Sequence, residues 1–349
     1  MAAVRVLIVE DSPIIAAALG AVLERDPEIE LVGMAPDGRK AVESVAALQP
    51  SVVVMDVHMP VMGGLEAIER IMAQTPVPIL VWTADPMSDA LSFEALRRGA
   101  LELVRKPAAL HQSSSEAREL VARVKLLASI PVLRRPAPSA RTGTTGAFQI
   151  VPPRPELRRA AGIVASTGGP GALAELLSRL PAGFGAPIVI VQHLATGFAA
   201  GLAAWLAKQT ALDVRVAEPG AALVPGAALL APDGFHLSVS GVGRVLLSEP
   251  GPRRPSSPEH VPSGDVMLAS LARAYGKSAI GVVLSGMGED GAAGLLEVHH
   301  EGGMTMVQSE ASSVIFGMPR AALERGAATR ALAPAEIARE LGRCCGAAP

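Results

Sequence analysis

The stretch Gly162–Leu180, GIVASTGGPGALAELLSRL, decides how the second half of this 349-residue chain is interpreted. Apolar residues lead into Ser166, a Thr-Gly-Gly turn follows, and leucines then recur at helical spacing from Leu173 to Leu180. The pattern predicts a strand, a sharp turn and a helix, with a serine hydroxyl at the bend. Such a bend can present a nucleophilic serine beside the N–H groups of a helix start. An ordinary helix N-cap is the other interpretation, and the stretch alone favours it.

Length and composition indicate two globular domains, because a single core usually stops growing at about 250 to 300 residues. Apolar residues make up 50% of the chain and the net charge is −2, which gives no general attraction to nucleic acid or to a membrane surface. No apolar run is long enough to span a membrane, and the apolar start lacks a signal-peptide cleavage site. Since Cys344 and Cys345 are adjacent, no disulfide framework is expected. We therefore expect a cytoplasmic protein that neither inserts into membranes nor binds nucleic acid.

Residues 1–128 alternate five times between short apolar runs and segments of helical periodicity. The apolar runs have no polar alternation, which is typical of parallel strands covered by helices on both faces. The predicted strands are 4–9, 30–35, 51–55, 78–82 and 101–104, and the predicted helices are 13–25, 38–48, 64–74, 85–98 and 113–128. The sequence therefore predicts an α/β domain of the flavodoxin-like, doubly wound type with a five-stranded parallel sheet.

Polar side chains follow four of these strands: Glu10 and Asp11 the first, Asp56 the third, Thr83 the fourth and Lys106 the fifth. The carboxyl ends of parallel strands meet at one edge of the sheet, so these side chains should lie together. Three carboxylates raise one another's pKa unless a cation is present, and an all-oxygen cluster suits Mg²⁺. Taken alone, each residue can be interpreted as an ordinary turn, cap or surface residue. Together they predict a site for phosphoryl transfer.

These residues stand in VLIVEDSP, VVVMDVHMPVMGGLE, ILVWTA and LVRKP, through which residues 1–128 resemble a response-regulator receiver domain. The resemblance implies phosphorylation of Asp56 by a CheA-type histidine kinase. It implies a Mg²⁺ site made by Asp11, Asp56, the backbone carbonyl of His58 and, through water, Glu10. The residues implied to contact the phosphoryl group are Thr83 and Lys106.

Two positions depart from the usual receiver pattern. Gly63-Gly64 stands where receivers usually have Asp-Gly, and Leu103 stands where they usually have an aromatic switch residue. Leu103 cannot supply the aromatic burial that usually accompanies the threonine shift, whereas the phosphorylation chemistry does not depend on it.

Residues 129–159 are predicted to be a flexible linker. The segment is rich in Pro, Ser, Thr, Gly and Arg and cannot bury enough apolar surface to fold alone. Its arginines could dock an acidic partner, but a solvated tether is the interpretation that we prefer.

Residues 160–349 resume the alternation and predict a second α/β domain. The predicted strands 161–165 and 187–191 lead into Ser166 and His193, and the strand 278–284 leads into the Gly-rich loop that contains Asp290. Shorter strands at 228–230, 237–240 and 245–248, separated by turn residues, predict a hairpin addition to a mostly parallel sheet.

Ser166, His193 and Asp290 are the residue types of a serine hydrolase, each following an apolar strand. Serine is a poor nucleophile at neutral pH until an imidazole removes its proton, and the imidazole needs a carboxylate to fix its tautomer. The Gly-rich loop can also supply N–H groups to an oxyanion. Alternatively, His193 is a core histidine and Asp290 a helix N-cap, or Glu289 is the orienting carboxylate.

Taken together, ASTGGP, VIVQHL, APDGFHL, VLSGMGEDGAAGL and SSVIFGMPRAA make residues 160–349 similar to the catalytic domain of the CheB family of chemotaxis protein-glutamate methylesterases. The receiver and the linker complete that architecture. The resemblance implies the nucleophile Ser166, the general base His193, its orienting partner Asp290, and oxyanion donors at Met287 and Thr167. The resemblance also implies that ester hydrolysis requires no cofactor. One departure is HVPSGD at residues 260–265, where the family usually reads HRPSVD.

The resemblance implies a monomeric, phosphorylation-activated esterase that hydrolyses glutamate methyl esters, and deamidates glutamines, on methyl-accepting chemotaxis receptors. A non-enzymatic regulator that binds a partner when phosphorylated is an alternative hypothesis. It predicts the loss of at least one residue of the triad Ser166, His193 and Asp290, yet all three are present. The same esterase serving a chemosensory array that does not control flagella is a further alternative.

Overall fold

Two sheets organise the computed structural model, which describes residues 3–83, 90–106, 114–130, 159–250 and 260–346. The chain divides into two units between residues 145 and 146. The predicted linker, apart from residues 129, 130 and 159, lies outside the described residues. None of the helices in the described ranges has both the length and the apolar character needed to cross a bilayer.

Five parallel strands form the sheet of the first unit, in the order β2-β1-β3-β4-β5. The elements are β1 (Val4–Val9), α1 (Pro13–Leu23), β2 (Ile29–Ala35), α2 (Gly38–Leu48), β3 (Val52–Met55), α3 (Gly64–Gln74), β4 (Ile79–Thr83), α4 (Ala90–Arg98), β5 (Glu102–Arg105) and α5 (Ser115–Ala128). This confirms the predicted flavodoxin-like domain. The predicted helix residues 85–89 and 113 lie outside the described part of the chain.

Local sequence explains where several of these helices begin. Ser12 caps α1 through its hydroxyl and Pro13 occupies the first turn, where a missing N–H costs nothing. Asp37 and Ser114 cap α2 and α5 in the same way. The strands β3 and β4 are buried along their whole length, as their continuous apolar sequences predict.

Seven parallel strands form the main sheet of the second unit, in the order β14-β13-β12-β6-β7-β9-β8, beside a separate antiparallel pair, β10-β11. The strands are β6 (Ala160–Ala165), β7 (Ile188–Gln192), β8 (Asp213–Val216), β9 (Ala227–Leu230), β10 (His236–Val239), β11 (Val245–Ser248), β12 (Ala279–Val283), β13 (Met304–Gln308) and β14 (Arg330–Leu332). The helices are α6 (Gly169–Leu177), α7 (Ala199–Ala207), α8 (Gly264–Tyr275), α9 (Ala292–His300), α10 (Met318–Glu324) and α11 (Pro334–Cys345), with short 3₁₀ turns at Gly276–Ser278 and Glu310–Ser312.

The predicted mostly parallel sheet with a hairpin is therefore confirmed, although the sequence patterns did not predict β8, β13 and β14, and one short strand pairs differently. Of the three short strands, β9 joins the main sheet in parallel pairing with β7 and β8, and only β10 and β11 form the hairpin.

The central strand β6 is buried throughout, with β12 on one side and β7 on the other. Helix α8 packs closely on it because Gly162 has no side chain: an added Cβ would lie 2.8 Å from both Leu268 Cδ2 and Met267 Sδ. The buried side chains of α8 and α9 join those of the sheet in one hydrophobic core. This core holds the carboxyl end of β6 in a fixed position.

Candidate active site

The three predicted catalytic residues lie at one edge of the seven-stranded sheet, after its three central strands. Ser166 directly follows β6 and His193 directly follows β7, while Asp290 lies in the loop between β12 and α9. Backbone hydrogen bonds extend the ladder past the strand ends: the Ser166 N–H donates to the Ser285 carbonyl, and the His193 N–H donates to the Ala165 carbonyl, both at 3.0 Å. The strand order also reverses beside β6, which is where open α/β sheets place their sites.

His193 and Asp290 form a partly buried pair. The distance from His193 Nε2 to Asp290 Oδ2 is 2.8 Å, and the two side chains are 12% and 7% exposed. The other ring nitrogen, Nδ1, is buried and has no hydrogen-bond partner among the described residues. The imidazole is therefore anchored at one nitrogen only.

The start of helix α8 supplies the other partners of Asp290. Oδ2 accepts the Gly264 N–H at 2.6 Å, and Oδ1 accepts the Ser263 hydroxyl at 2.9 Å and the Asp265 N–H at 3.1 Å. Burial opposes ionisation of Asp290, but the hydrogen bond and charge of His193 and the two backbone N–H groups outweigh it and lower the pKa to about 2. The carboxylate is therefore ionised at neutral pH.

The two alternatives for Asp290 are not supported by this geometry. Helix α9 has Gly291 as its N-cap residue, without a side-chain capping bond, so Asp290 is not the cap of the helix that follows it. Glu289 pairs with Arg325 instead, with 2.5 Å between Oε2 and Nη2. Asp290 is thus the carboxylate that is hydrogen-bonded to the imidazole of His193.

The loop proposed to bind an oxyanion passes directly beside Ser166. A Cβ added to Gly286 would lie 2.7 Å from the Cβ of Ser166, so only a glycine allows this approach. Met287, the next residue, has an exposed side chain. On the other side, the Ser285 hydroxyl donates to the carbonyl of Thr167 at 2.8 Å. Both predicted donor residues thus lie on segments that flank the serine.

Three further residues, which no sequence pattern marked as catalytic, contribute to this site. The Gln192 Nε2 group donates to the carbonyls of Ser166 and His193 at 2.8 and 2.9 Å, which ties the two loops together. Ser263 binds Asp290, as described above. The ring of His260 stacks on that of His193, with 4.4 Å between centroids and an interplanar angle of 15°. Gln192 carries a sequence signal as the neighbour of His193, and His260 and Ser263 both stand in the segment HVPSGD, which departs from the usual HRPSVD only at residues 261 and 264.

The first unit brings together the predicted acidic residues. One carboxylate oxygen from each of Glu10, Asp11 and Asp56 lies within 4.8 Å of the others. Lys106 Nζ lies 2.7 Å from Glu10 Oε2 and 2.5 Å from Asp56 Oδ2. Burial raises the pKa of Glu10. The hydrogen bond and charge of Lys106 partly offset this rise, and the negative charge of Asp56 adds to it. Three oxygen donors with repelling charges fit a divalent cation that prefers oxygen ligands.

The backbone of His58 contacts Asp56, and that of Thr83 contacts Lys106. The His58 N–H donates to Asp56 Oδ1 at 3.0 Å. Thr83 is buried at the end of β4, and its carbonyl accepts the Lys106 N–H at 2.6 Å. Leu103, at the switch position, is buried.

The two glycines after the Met-Pro loop have different roles. A Cβ at Gly64 would lie 2.4 Å from the Asp56 carbonyl oxygen, so this position requires glycine. Gly63 is the N-cap residue of α3 and offers no side-chain capping bond, so the departure there removes a helix cap and leaves the acidic site intact.

Comparisons with known proteins agree with this arrangement. Residues 161–341 match the family model of the CheB methylesterases, and residues 6–117 match that of the response regulator receiver domain. The chain belongs to the CheB methylesterase family.

Two relatives support this assignment over nearly the full length. Protein-glutamate methylesterase/protein-glutamine glutaminase 3 of Myxococcus xanthus is 43% identical over 99% of this chain and 95% of its own. Protein-glutamate methylesterase/protein-glutamine glutaminase 2 of Anaeromyxobacter dehalogenans is 44% identical over 97% of this chain and 96% of its own.

A solved structure resembles the second unit of this CheB family member. The Thermotoga maritima CheB methylesterase catalytic domain is 34% identical, covers 53% of this chain and 97% of its own, and superposes with a TM-score of 0.50.

Proposed function

We propose that this chain is a phosphorylation-regulated esterase that hydrolyses glutamate methyl esters, and deamidates glutamines, on chemotaxis receptors. The observation that carries the proposal is the partly buried His193–Asp290 pair at the same sheet edge as Ser166, in a domain of the CheB family. The receiver domain of the same chain supports regulation by phosphorylation. A non-enzymatic partner-binding role is not favoured, because the full-length relatives are named as enzymes.

The ionised carboxylate determines which nitrogen of His193 acts as the base. Because Asp290 accepts a hydrogen bond from Nε2, that nitrogen carries the proton and Nδ1 keeps the lone pair. Nδ1 removes the hydroxyl proton of Ser166 while Oγ bonds to the γ-carbonyl carbon of the glutamate methyl ester. Asp290 then stabilises the imidazolium that forms.

The carbonyl oxygen becomes negatively charged in this step. In our proposal it is bound by backbone N–H groups of Met287 and Thr167, on the two segments that flank Ser166. As the intermediate collapses, the bond to the methoxy group breaks and methanol leaves with the proton from Nδ1. Water then hydrolyses the acyl-serine with the same base, which frees the glutamate. A glutamine substrate follows the same route and releases ammonia.

Regulation is proposed to begin at Asp56, the acceptor of a phosphoryl group from a CheA-type histidine kinase. Glu10, Asp11, Asp56 and the backbone carbonyl of His58 would hold Mg²⁺, which when bound neutralises the charge of the carboxylates and the phosphoryl oxygens. Thr83 and Lys106 would contact the phosphoryl group. Its added charge of about −1.5 to −2 biases a two-state equilibrium that controls access to Ser166. We place the protein in the cytoplasm, acting as a monomer.

Methanol release from methylated receptor membranes, with and without a small phosphodonor, tests both parts of the proposal. Ser166→Ala should release no methanol above background. Asp56→Asn should keep the basal rate and lose the response to the phosphodonor. Wild-type activity in Ser166→Ala would contradict the esterase mechanism, and an undiminished phosphodonor response in Asp56→Asn would contradict regulation at that residue.

A further inference from the structure

His260 lies at the active site although it is 67 positions from His193 in the sequence. Its ring stacks on the imidazole of His193 with centroids 4.4 Å apart and planes 15° from parallel. The same short segment continues through the cis peptide bond Val261-Pro262 into Ser263, whose hydroxyl binds Asp290. One segment therefore contacts both the proposed base and its carboxylate.

We propose that His260 is a positioning residue that fixes the plane of the His193 imidazole and places no competing positive charge against the ring face that it covers. The inference rests on the proposed roles of Ser166 and His193.

The hydrogen-bond geometry shows why the His193 ring needs a second restraint. Asp290 holds one edge of the ring, at Nε2, and Nδ1 has no partner in the described part of the chain. A ring held at a single edge can tilt about that bond, which moves Nδ1 relative to Ser166. A parallel aromatic ring at 4.4 Å resists this tilt through dispersion contacts over the whole face.

The electrical state of His260 matters because His193 becomes positively charged during catalysis. Burial lowers the pKa of His260 and the charge of His193 lowers it further, while Asp290 opposes this. Within the described residues, the titratable groups that act on the ring are His193, after β7, and Asp290, before α9. At neutral pH His260 is consequently uncharged, and its ring can lie against the imidazolium without repulsion. At acidic pH a protonated His260 would oppose that charge.

Substitutions that separate ring stacking from ring charge test the proposal. His260→Phe keeps an aromatic face and cannot titrate, whereas His260→Leu fills similar space without a ring. We expect His260→Leu to lower kcat for methanol release on the order of tenfold with little change in KM, and His260→Phe to keep most of kcat. The acid limb of the kcat/KM profile should be shallower in His260→Phe than in wild type, by up to one proton.

A second measurement separates this proposal from the proposed function. The rate at which an alkyl fluorophosphonate labels Ser166 reports the reactivity of the serine without any receptor substrate, and Ser166→Ala gives its background. We expect the labelling rate to fall in His260→Leu and to be kept in His260→Phe. His299→Ala, an exposed histidine on α9 that pairs with His300 instead, is the matched control and should match wild type.

The outcomes are distinguishable. If wild-type protein labels at Ser166 but releases no methanol, the proposed substrate is wrong and the labelling rates still test His260. Equal labelling rates and equal acid limbs in wild type, His260→Leu and His260→Phe would overturn the proposal. So would a loss in His260→Phe as large as that in His260→Leu, with both variants folded by their thermal unfolding curves.

Discussion

Asp290 and Asp265 cap each other's helices. Asp290, which precedes α9, accepts N–H groups of Gly264 and Asp265 at the start of α8. Asp265, in the first turn of α8, accepts the Gly294 N–H at 2.7 Å in the first turn of α9. The positive ends of two helices thus face two carboxylates, which opposes the effect of burial on their ionisation. The proposed orienting group of His193 is therefore positioned by the packing of α8 against α9.

Replacing Asp290 with asparagine should reduce both catalysis and stability. The amide cannot stabilise an imidazolium by charge, so kcat for methanol release should fall by a factor on the order of 10³ to 10⁴. The pKa of Asp290 is about 2 in the folded protein, below its ordinary value of 3.8. This ionisation stabilises the fold above the ordinary value, and the contribution of about 2 kcal/mol is lost as the pH falls towards 2. Chemical denaturation at several pH values should show this slope in wild type and a flatter one in Asp290→Asn.

Asp265→Asn is the matched contrast, because its titration has the opposite sign. Burial raises the pKa of Asp265, helped by the charge of Asp290 and opposed by backbone N–H groups that include that of Gly294. Its protonated form is therefore the one that the fold favours, and stability is lost as the pH rises through the raised pKa. An asparagine still accepts the Gly294 N–H without this cost, so it should destabilise less at pH 7 than Asp290→Asn. Equal losses in the two variants would contradict this account of the pair.

Ser263→Ala should weaken the support of Asp290 without removing its charge. The change deletes the hydroxyl donor to Oδ1 and the N-cap of α8, which together stabilise by about 1 to 2 kcal/mol. We expect a severalfold lower kcat, an almost unchanged KM, and a lower midpoint in thermal unfolding. Ser263→Thr keeps the hydroxyl and is the control; if its kcat falls as far as that of the alanine variant, the hydroxyl is not what matters.

Much of this site could be predicted from the sequence, because apolar strands are recognisable from their composition and their carboxyl ends share one edge of the sheet. Ser166 and His193 follow their strands directly, and the acidic cluster with Glu10 and Asp56 forms for the same reason. Strand direction is harder to predict for short runs. The sequence of Ala227–Leu230 suits a strand of a hairpin as well as a strand of a parallel sheet. Its parallel pairing with β7 and β8, which decides between the two, depends on segments distant in the sequence.

The parts that the sequence does not reveal depend on contacts between distant segments. Glu289 and Asp290 are adjacent carboxylates, and the choice between them depends on Arg325, which pairs with Glu289. His260 has no periodic pattern or ligand spacing around it. Its role arises because its segment precedes α8, whose first turn binds Asp290.

Addition of Mg²⁺ should stabilise the receiver domain. Glu10, Asp11 and Asp56 repel one another, and a bound cation that prefers the folded arrangement raises stability by mass action, by about 2.7 kcal/mol at a hundredfold excess over Kd. The midpoint of the receiver unfolding transition should therefore rise with Mg²⁺ concentration, and chelation should reverse the change. Asp11→Asn should need a much higher Mg²⁺ concentration for the same shift. A midpoint independent of Mg²⁺ in wild type would contradict a cation site here.

The departure in residues 260–265 has a steric explanation that a pair of substitutions can test. Gly264 stands where the family usually has valine, and in this chain an added Cβ would lie 2.3 Å from Val164 Cγ1 on the central strand. Gly264→Val should therefore displace the start of α8, with a loss of about 1 to 3 kcal/mol in unfolding free energy and a lower kcat, since the Gly264 N–H binds Asp290.

Shortening the neighbour should relieve that conflict. Val164→Ala alone removes buried methyl groups and should destabilise the domain, whereas combined with Gly264→Val it makes room for the new side chain. In a double-mutant cycle the combined loss should be smaller than the sum of the single losses by at least about 0.5 kcal/mol, and kcat should recover partly. Additive losses would mean that the two side chains do not compete for the same space, and that glycine at position 264 has another cause.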